Sequence, residues 1–197
     1  MRIVFTGGGS GGHFFPLIAV IRELKRTAEE EHILDLELFY IGPDTFGRDL
    51  LKEEQVVVIP IESGKLRSYA SFRNILDLFK TGFGTLRALW NIFLIMPDAI
   101  FSKGGYGAFP AVIGAALFRI PLIIHESDTI PGRVNLFSAR FADRIGITFA
   151  SAAQFFPKEK TALVGFPIRK RILGAKIEEA KESFDIFSSI QIGRAHV

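Results

Sequence analysis

Residues 6–16, TGGGSGGHFFP, separate a short apolar run, Arg2–Thr6, from a stretch in which Leu17, Ile18, Val20, Ile21 and Leu24 recur at helical spacing. A strand that turns into a helix through five glycines and Ser10 constrains the chain to the α/β class. Such glycines let main-chain N–H groups approach a ligand closely, and the helix N-terminus adds unpaired donors and a partial positive charge. Ser10, Gly11 and Gly12 therefore read as an anion site, for phosphate or diphosphate. His13 falls in the first helical turn, where the helix dipole disfavours imidazolium and leaves a neutral base.

The spacing Gly7-x-Gly9-x-x-Gly12 also satisfies the dinucleotide fingerprint, which needs an acidic residue closing the second strand. Here the second strand, Leu36–Ile41, ends in Gly42 and Pro43 with Asp44 just beyond, so a nicotinamide reading stays open without its usual partner. No Gly-Lys-Ser/Thr follows the loop, which excludes a Walker-type site. A plain tight turn accounts for one or two glycines, not five followed by a histidine.

Strands and helices alternate along the rest of the chain. Strands are expected at Val56–Pro60, Ala99–Ser102, Pro121–His125, Arg144–Thr148 and Thr161–Val164, with helices at Asp44–Glu54, Ala108–Phe118 and Arg133–Phe141. This pattern predicts a Rossmann-like parallel sheet of about seven strands with helices on both faces. Ligands of such sheets bind outside the carboxyl ends of the strands. The glycine- and charge-rich stretches all fall at such ends. They include Ser102-Lys103-Gly104-Gly105-Tyr106-Gly107, whose N–H groups suit a second diphosphate contact, and His125-Glu126-Ser127-Asp128. His125 is expected to be a core histidine bonded to the backbone. Glu126 and Asp128 are placed to accept hydrogen bonds from sugar hydroxyls or to orient His13.

The segment 64–97 is unusual. Lys65, Arg67, Arg73 and Lys80 precede or interleave with Phe72, Ile75, Leu76, Phe79, Phe83, Leu86, Trp90 and Phe93, which share one helical face. Most of this stripe is expected to cover the sheet. The remainder suits a cation-rimmed surface on anionic lipid, with Phe72, Ile75, Phe79, Phe83, Trp90 and Lys80 as its contacts.

The opening Gly-Gly-x-Gly-Gly-His, the Gly104-Gly105-Tyr106 loop, His125-Glu126, Pro131-Gly132-Arg133-Val134-Asn135 and the Gly165–Arg169 turn together resemble the MurG family, glycosyltransferase family 28. The resemblance covers residues 1 to about 187. It implies the N-terminal domain of a GT-B glycosyltransferase that moves N-acetylglucosamine from UDP-N-acetylglucosamine to lipid I, with inversion, in peptidoglycan synthesis. It implies His13 and Glu126 as catalytic residues. Gly104, Gly105, Tyr106, Asp128, Asn135 and Arg169 are implied as diphosphate or sugar contacts. No metal and no cofactor are expected. The family has asparagine where this chain has Asp128 and Phe166.

By the same resemblance, residues 1–170 form an acceptor-binding domain, and 171–191, with a helix at 177–187, a linker toward a donor domain that the chain lacks. The half alone is then expected to be inactive. Residues 192–197 are expected to derive from sequencing-adapter DNA, since ATCGGAAGAGCACACGTC encodes them. The net charge of +3 suits an acidic substrate or an anionic membrane and is too small to argue for nucleic acid. No cysteine is present, which excludes disulfides and thiolate zinc sites. No signal peptide and no spanning run of apolar residues are seen, which makes the cytoplasm the default, and the resemblance implies a peripheral place on the cytoplasmic side of the bacterial membrane. The alternatives are another GT-B enzyme, such as a sugar-nucleotide epimerase, and a non-catalytic module that binds membrane or lipid-linked diphosphate.

Overall fold

The computed structural model describes residues 1–8, 11–43, 47–64 and 72–168, with residues 72–78 described by their backbone alone. Ser10, Asp44, Lys65, Arg67, Arg169, the linker 171–191, the tail 192–197 and the side chains of Phe72, Arg73, Ile75 and Leu76 lie outside the described residues.

The elements run β1 (Arg2–Thr6), α1 (Gly11–Glu30), β2 (Glu37–Gly42), α2 (Arg48–Glu53), β3 (Val57–Pro60), α3 (Phe72–Ile95), β4 (Ala99–Ser102), α4 (Phe109–Phe118), β5 (Leu122–Glu126), α5 (Arg133–Ser138), β6 (Arg144–Ile147) and β7 (Thr161–Leu163). The seven strands form one sheet in the order β3-β2-β1-β4-β5-β6-β7, and every pair is parallel. This is the expected Rossmann-like architecture. The order reverses between β1 and β4, which opens a crevice at their carboxyl ends. Both glycine-rich loops leave the sheet there.

The period-2 geometry of β1 sends Val4 to one face and Phe5 to the other. Val4 joins a core with Ala88, Ile92, Ile100, Ala111, Val112, Leu122, Ile124 and Ile145, under α3 and α4. Phe5 joins Phe14, Leu17, Ile18, Ile21, Leu38, Tyr40 and Leu51, under α1 and α2. Helices cover both faces of the β3-β2-β1 half. Beyond β1 the α1 face is less covered. There a cleft of about 630 Å³ lies between α1 and residues 164–168, with Phe101 and His125 in its wall.

Helix α3 corrects an expectation. It buries Gly84, Ala88 and Ile92, one turn apart, and leaves Phe79, Phe83, Leu86, Trp90 and Phe93 exposed, Phe79 at 72% and Trp90 at 63%. The aromatic stripe thus faces outward rather than onto the sheet. Close approach decides this. A side chain on Gly84 would collide with the Glu62 carbonyl, and Ile92 occupies the space that a side chain on Gly114 of α4 would need. Small residues set the contact distance, and large ones on the same helix cannot enter it.

Candidate functional site

Three loops meet at the crevice. The first leaves β1 and enters α1, which places His13 in the opening turn of a 20-residue helix. The second leaves β4 at Lys103, crosses Gly104 and Gly105 with φ of +80° and +79°, and enters a 3-10 turn at Tyr106–Ala108. Only glycine takes that left-handed path without strain. The third runs from β5 to α5 through Glu126, Ser127 and Asp128.

The first two loops pack against each other. The Lys103 N–H donates to the Thr6 carbonyl at 2.9 Å, extending the β1–β4 pairing. A Cβ on Gly105 would lie 2.9 Å from the Gly8 carbonyl oxygen and 3.4 Å from Cδ2 of His13. A Cβ on Gly104 would lie 2.5 Å from Oδ1 of Asn135. Several glycines therefore serve loop-to-loop packing. Gly11, Gly12, Gly105 and Tyr106 remain partly or fully exposed, and Gly104 is buried.

His13 is half-buried, and its Nδ1 has no hydrogen-bond partner among the described residues. Burial holds its imidazole below the usual value, and the nearby Lys103 ammonium pushes in the same direction, while the Lys103 main chain, Asp128 and Glu126 oppose them. The ring is therefore neutral near pH 7, as a proton acceptor must be.

Glu126 is held by four hydrogen bonds. Its Oε1 accepts the N–H groups of Ser127 at 2.7 Å and Asp128 at 2.9 Å. Its Oε2 accepts Gly132 N–H at 3.1 Å and Asn135 Nδ2 at 3.0 Å. A carboxylate offers about four lone-pair positions, and all are occupied. No hydrogen bond joins Glu126 to His13 among the described residues. Glu126 anchors the β5–α5 loop through these four bonds. Asn135 is buried, and its amide donates to the His125 carbonyl at 3.2 Å as well as to Glu126, which braces the loop, while its Oδ1 has no hydrogen-bond partner among the described residues. Asp128 is exposed at the mouth.

His125 is the backbone-bonded core histidine expected. Its Nε2–H donates to the Gly165 carbonyl at 2.9 Å, which fixes the neutral tautomer, and burial lowers its proton affinity. Thr148 donates to the same carbonyl at 3.3 Å. These bonds pin residues 164–168 beside the site.

Two residues gain roles that motif reading did not assign. Lys103 is 1% exposed, its ammonium donates to the Ser127 hydroxyl, and it lies 6.0 Å from the centre of the Phe166 ring. Burial pushes its amine down to about 8. Tyr40, on β2, donates from its phenol to the Gly7 carbonyl at 2.5 Å. A lysine directly after a buried strand and before two glycines was the legible signal for the first. For the second there was none, because the contact spans 33 positions. Among the described residues no helix is long and apolar enough to cross a membrane.

Residues 3–147 match the Glycosyltransferase family 28 N-terminal domain. "UDP-N-acetylglucosamine--N-acetylmuramyl-(pentapeptide) pyrophosphoryl-undecaprenol N-acetylglucosamine transferase 3" of Bacillus thuringiensis (strain Al Hakam) is 41% identical over 180 residues, which is 91% of this chain and 49% of that protein. A transferase of the same description from Legionella pneumophila (strain Lens) is 39% identical over 173 residues, 87% of this chain and 46% of its own length. The crystal structure of Acinetobacter baumannii MurG superposes with a TM-score of 0.66 at 25% identity, covering 85% of this chain and 46% of that one. The chain spans about half the length of the curated relatives it matches.

Proposed function

This chain belongs to glycosyltransferase family 28, and from that premise we propose that it is the acceptor-binding half of an inverting transferase that moves N-acetylglucosamine from UDP-N-acetylglucosamine to lipid I. Residues 1–170 bind the acceptor, 171–191 lead toward a donor-binding half, and most contacts to the nucleotide sugar come from that second half. The observation that carries this reading is the meeting of two glycine loops at the sheet's reversal point, with neutral His13 between them.

His13 acts as general base on the acceptor hydroxyl, a role worth about 10²–10⁴-fold in rate. The main-chain N–H groups around Ser10, Gly11 and Gly12, and those of Gly104, Gly105 and Tyr106, hold diphosphate charge. Arg169 contacts the nucleotide sugar, and Asp128 faces the sugar hydroxyls from the mouth. An inverting displacement needs no covalent nucleophile.

The exposed side chains of α3 seat the protein on the cytoplasmic face of the bacterial membrane, where a lipid-linked acceptor is presented. Large apolar side chains left in water forgo about 1.5–3 kcal/mol each. Lys80 and Arg87 flank the same face at the edge of a pocket shared with Tyr106, and they suit anionic headgroups.

The test is transfer of N-acetylglucosamine to lipid I by this chain joined to a family 28 donor half. His13→Ala is expected to lower turnover at least a hundredfold with the fold intact, and near-normal turnover would sink the assignment of the base. A second reading, favoured by the exposed α3 face, is a module that binds membrane without catalysis. Under that reading the chain sediments with phosphatidylglycerol vesicles and transfers no sugar even when joined to a donor half.

A further inference from the structure

A second pocket, of about 400 Å³, lies at the carboxyl ends of β2 and β3, beside the second glycine loop. Its volume falls in the range of small-ligand sites, about 300–1,000 Å³. The segment 60–63 that lines it is fixed on both sides. The Ile61 N–H donates to the Gly42 carbonyl at 3.0 Å, and the Glu62 carbonyl approaches Gly84 of α3 so closely that a Cβ there would lie 1.8 Å from its oxygen. The Ser63 hydroxyl donates to the Tyr106 carbonyl at 2.7 Å, and the Gly64 N–H donates to the Thr81 hydroxyl at 3.0 Å. A Cβ on Gly107 would lie 2.4 Å from Cδ of Pro43, which also lines the pocket. The pocket is thus clamped between α3 and the glycine loop.

The charge of its lining is mainly positive. Lys80 and Arg87 lie seven residues apart, on one face of α3, and both line the pocket. Among the described residues no carboxylate pairs with either, Glu62 of the same lining included. An anion entering here meets two cations and a wall of Pro43, Pro60 and Ile61. Tyr106 lines the pocket too, and its neighbour Gly105 packs on His13, where a Cβ would lie 3.4 Å from Cδ2 of the ring. The pocket therefore begins one residue from the glycine that borders the candidate base.

We propose that this pocket is the subsite for the peptide of the acceptor, with Lys80 and Arg87 holding its carboxylates. The inference rests on the reading of lipid I as the acceptor, and it goes beyond that reading by assigning where the peptide lies and which side chains recognise it. Lipid I carries its peptide on the same muramyl sugar whose hydroxyl reacts at His13, so the peptide starts beside the glycine loop. Five extended residues span about 17 Å, more than the two helical turns, about 10 Å, between Arg87 and Lys80. A guanidinium and an ammonium at a pocket wall, with no carboxylate of their own, suit that ligand. An anionic headgroup shares the chemistry. The peptide is favoured because Ser63 and Tyr106 join the pocket to the glycine loop.

The experiment is an NMR titration of the 197-residue chain with N-acetylmuramyl-pentapeptide in the absence of lipid, read at the amides of Ser63, Gly64 and Tyr106. The same compound with its peptide carboxylates amidated is the comparison. The free acid is expected to bind about tenfold tighter than the amide. The double variant Lys80→Gln, Arg87→Gln changes two exposed side chains and is expected to bring the acid down to the amide. No binding of the acid, equal binding of acid and amide, or a preference that survives in the double variant would overturn the proposal. Phosphatidylglycerol vesicles form the second arm. A double variant that loses vesicle binding and keeps the preference for the acid would assign both cations to headgroups alone and overturn it. Failure of the acceptor reading is separable, because it is read from sugar transfer to lipid I by the joined enzyme. Transfer without a preference for the acid refutes the peptide subsite alone.

Discussion

The phenolic oxygen of Tyr40 sits between three glycines. It donates to the Gly7 carbonyl at 2.5 Å, and it would lie 2.8 Å from a Cβ on Gly8 and 2.6 Å from a Cβ on Gly42. One side chain on β2 thus explains glycines that would otherwise all be credited to a ligand. Tyr40→Phe is expected to destabilise the fold by about 1–2 kcal/mol, because the Gly7 carbonyl loses a buried donor. Urea denaturation reads the change, and an unaltered midpoint would mean that the bond contributes nothing.

Glu126→Gln tests the anchor. The amide nitrogen of glutamine would face two of the four N–H donors that now meet carboxylate oxygens. The expected cost is about 2–4 kcal/mol, concentrated in the β5–α5 loop. Hydrogen exchange at Ser127, Asp128 and Gly132 should accelerate while the β1–β2 amides stay protected. Loss of turnover in a joined enzyme with unchanged exchange would instead show a direct catalytic role.

Acid sensitivity follows from the two histidines. Burial lowers the proton affinity of both His13 and His125 below the ordinary 6.5. Between the folded values and 6.5 the unfolded chain binds more protons. Stability from this source is therefore complete above about pH 6.5 and falls as the pH drops through the folded values. The urea midpoint should decrease from pH 7 toward pH 5, and His125→Gln should flatten that slope. A slope untouched by the substitution would assign the acid sensitivity to carboxylates.

Replacing Lys103 predicts a gain in stability. Its amine falls from 10.5 unfolded to about 8 folded, so at pH 7 the folded state carries a charge it disfavours. Lys103→Met should stabilise the chain by about 2 kcal/mol at pH 7, and the gain should shrink as pH rises from 8 toward 10.5. A variant less stable than the parent at pH 7 would show that the Ser127 bond outweighs the burial of charge.

The seven strands, their parallel pairing, both glycine loops and the place of His13 at a helix start were legible in the residues. They depend on short-range patterns: apolar runs of strand length, glycine between a strand and a helix, and the 3.6-residue period. Lys103, Ser127, Tyr40 and the saturation of Glu126 were not legible, because each is defined by partners from other loops. Helix α3 draws the line most plainly. Its sequence carries two apolar faces, one of small residues with Gly84 and Ala88, one of aromatics with Phe79, Phe83 and Trp90. Hydrophobicity ranks the aromatic face as the one to bury. The tertiary structure buries the other, because only small side chains let α3 approach the Glu62 carbonyl and α4 closely, and close packing outweighs side-chain size.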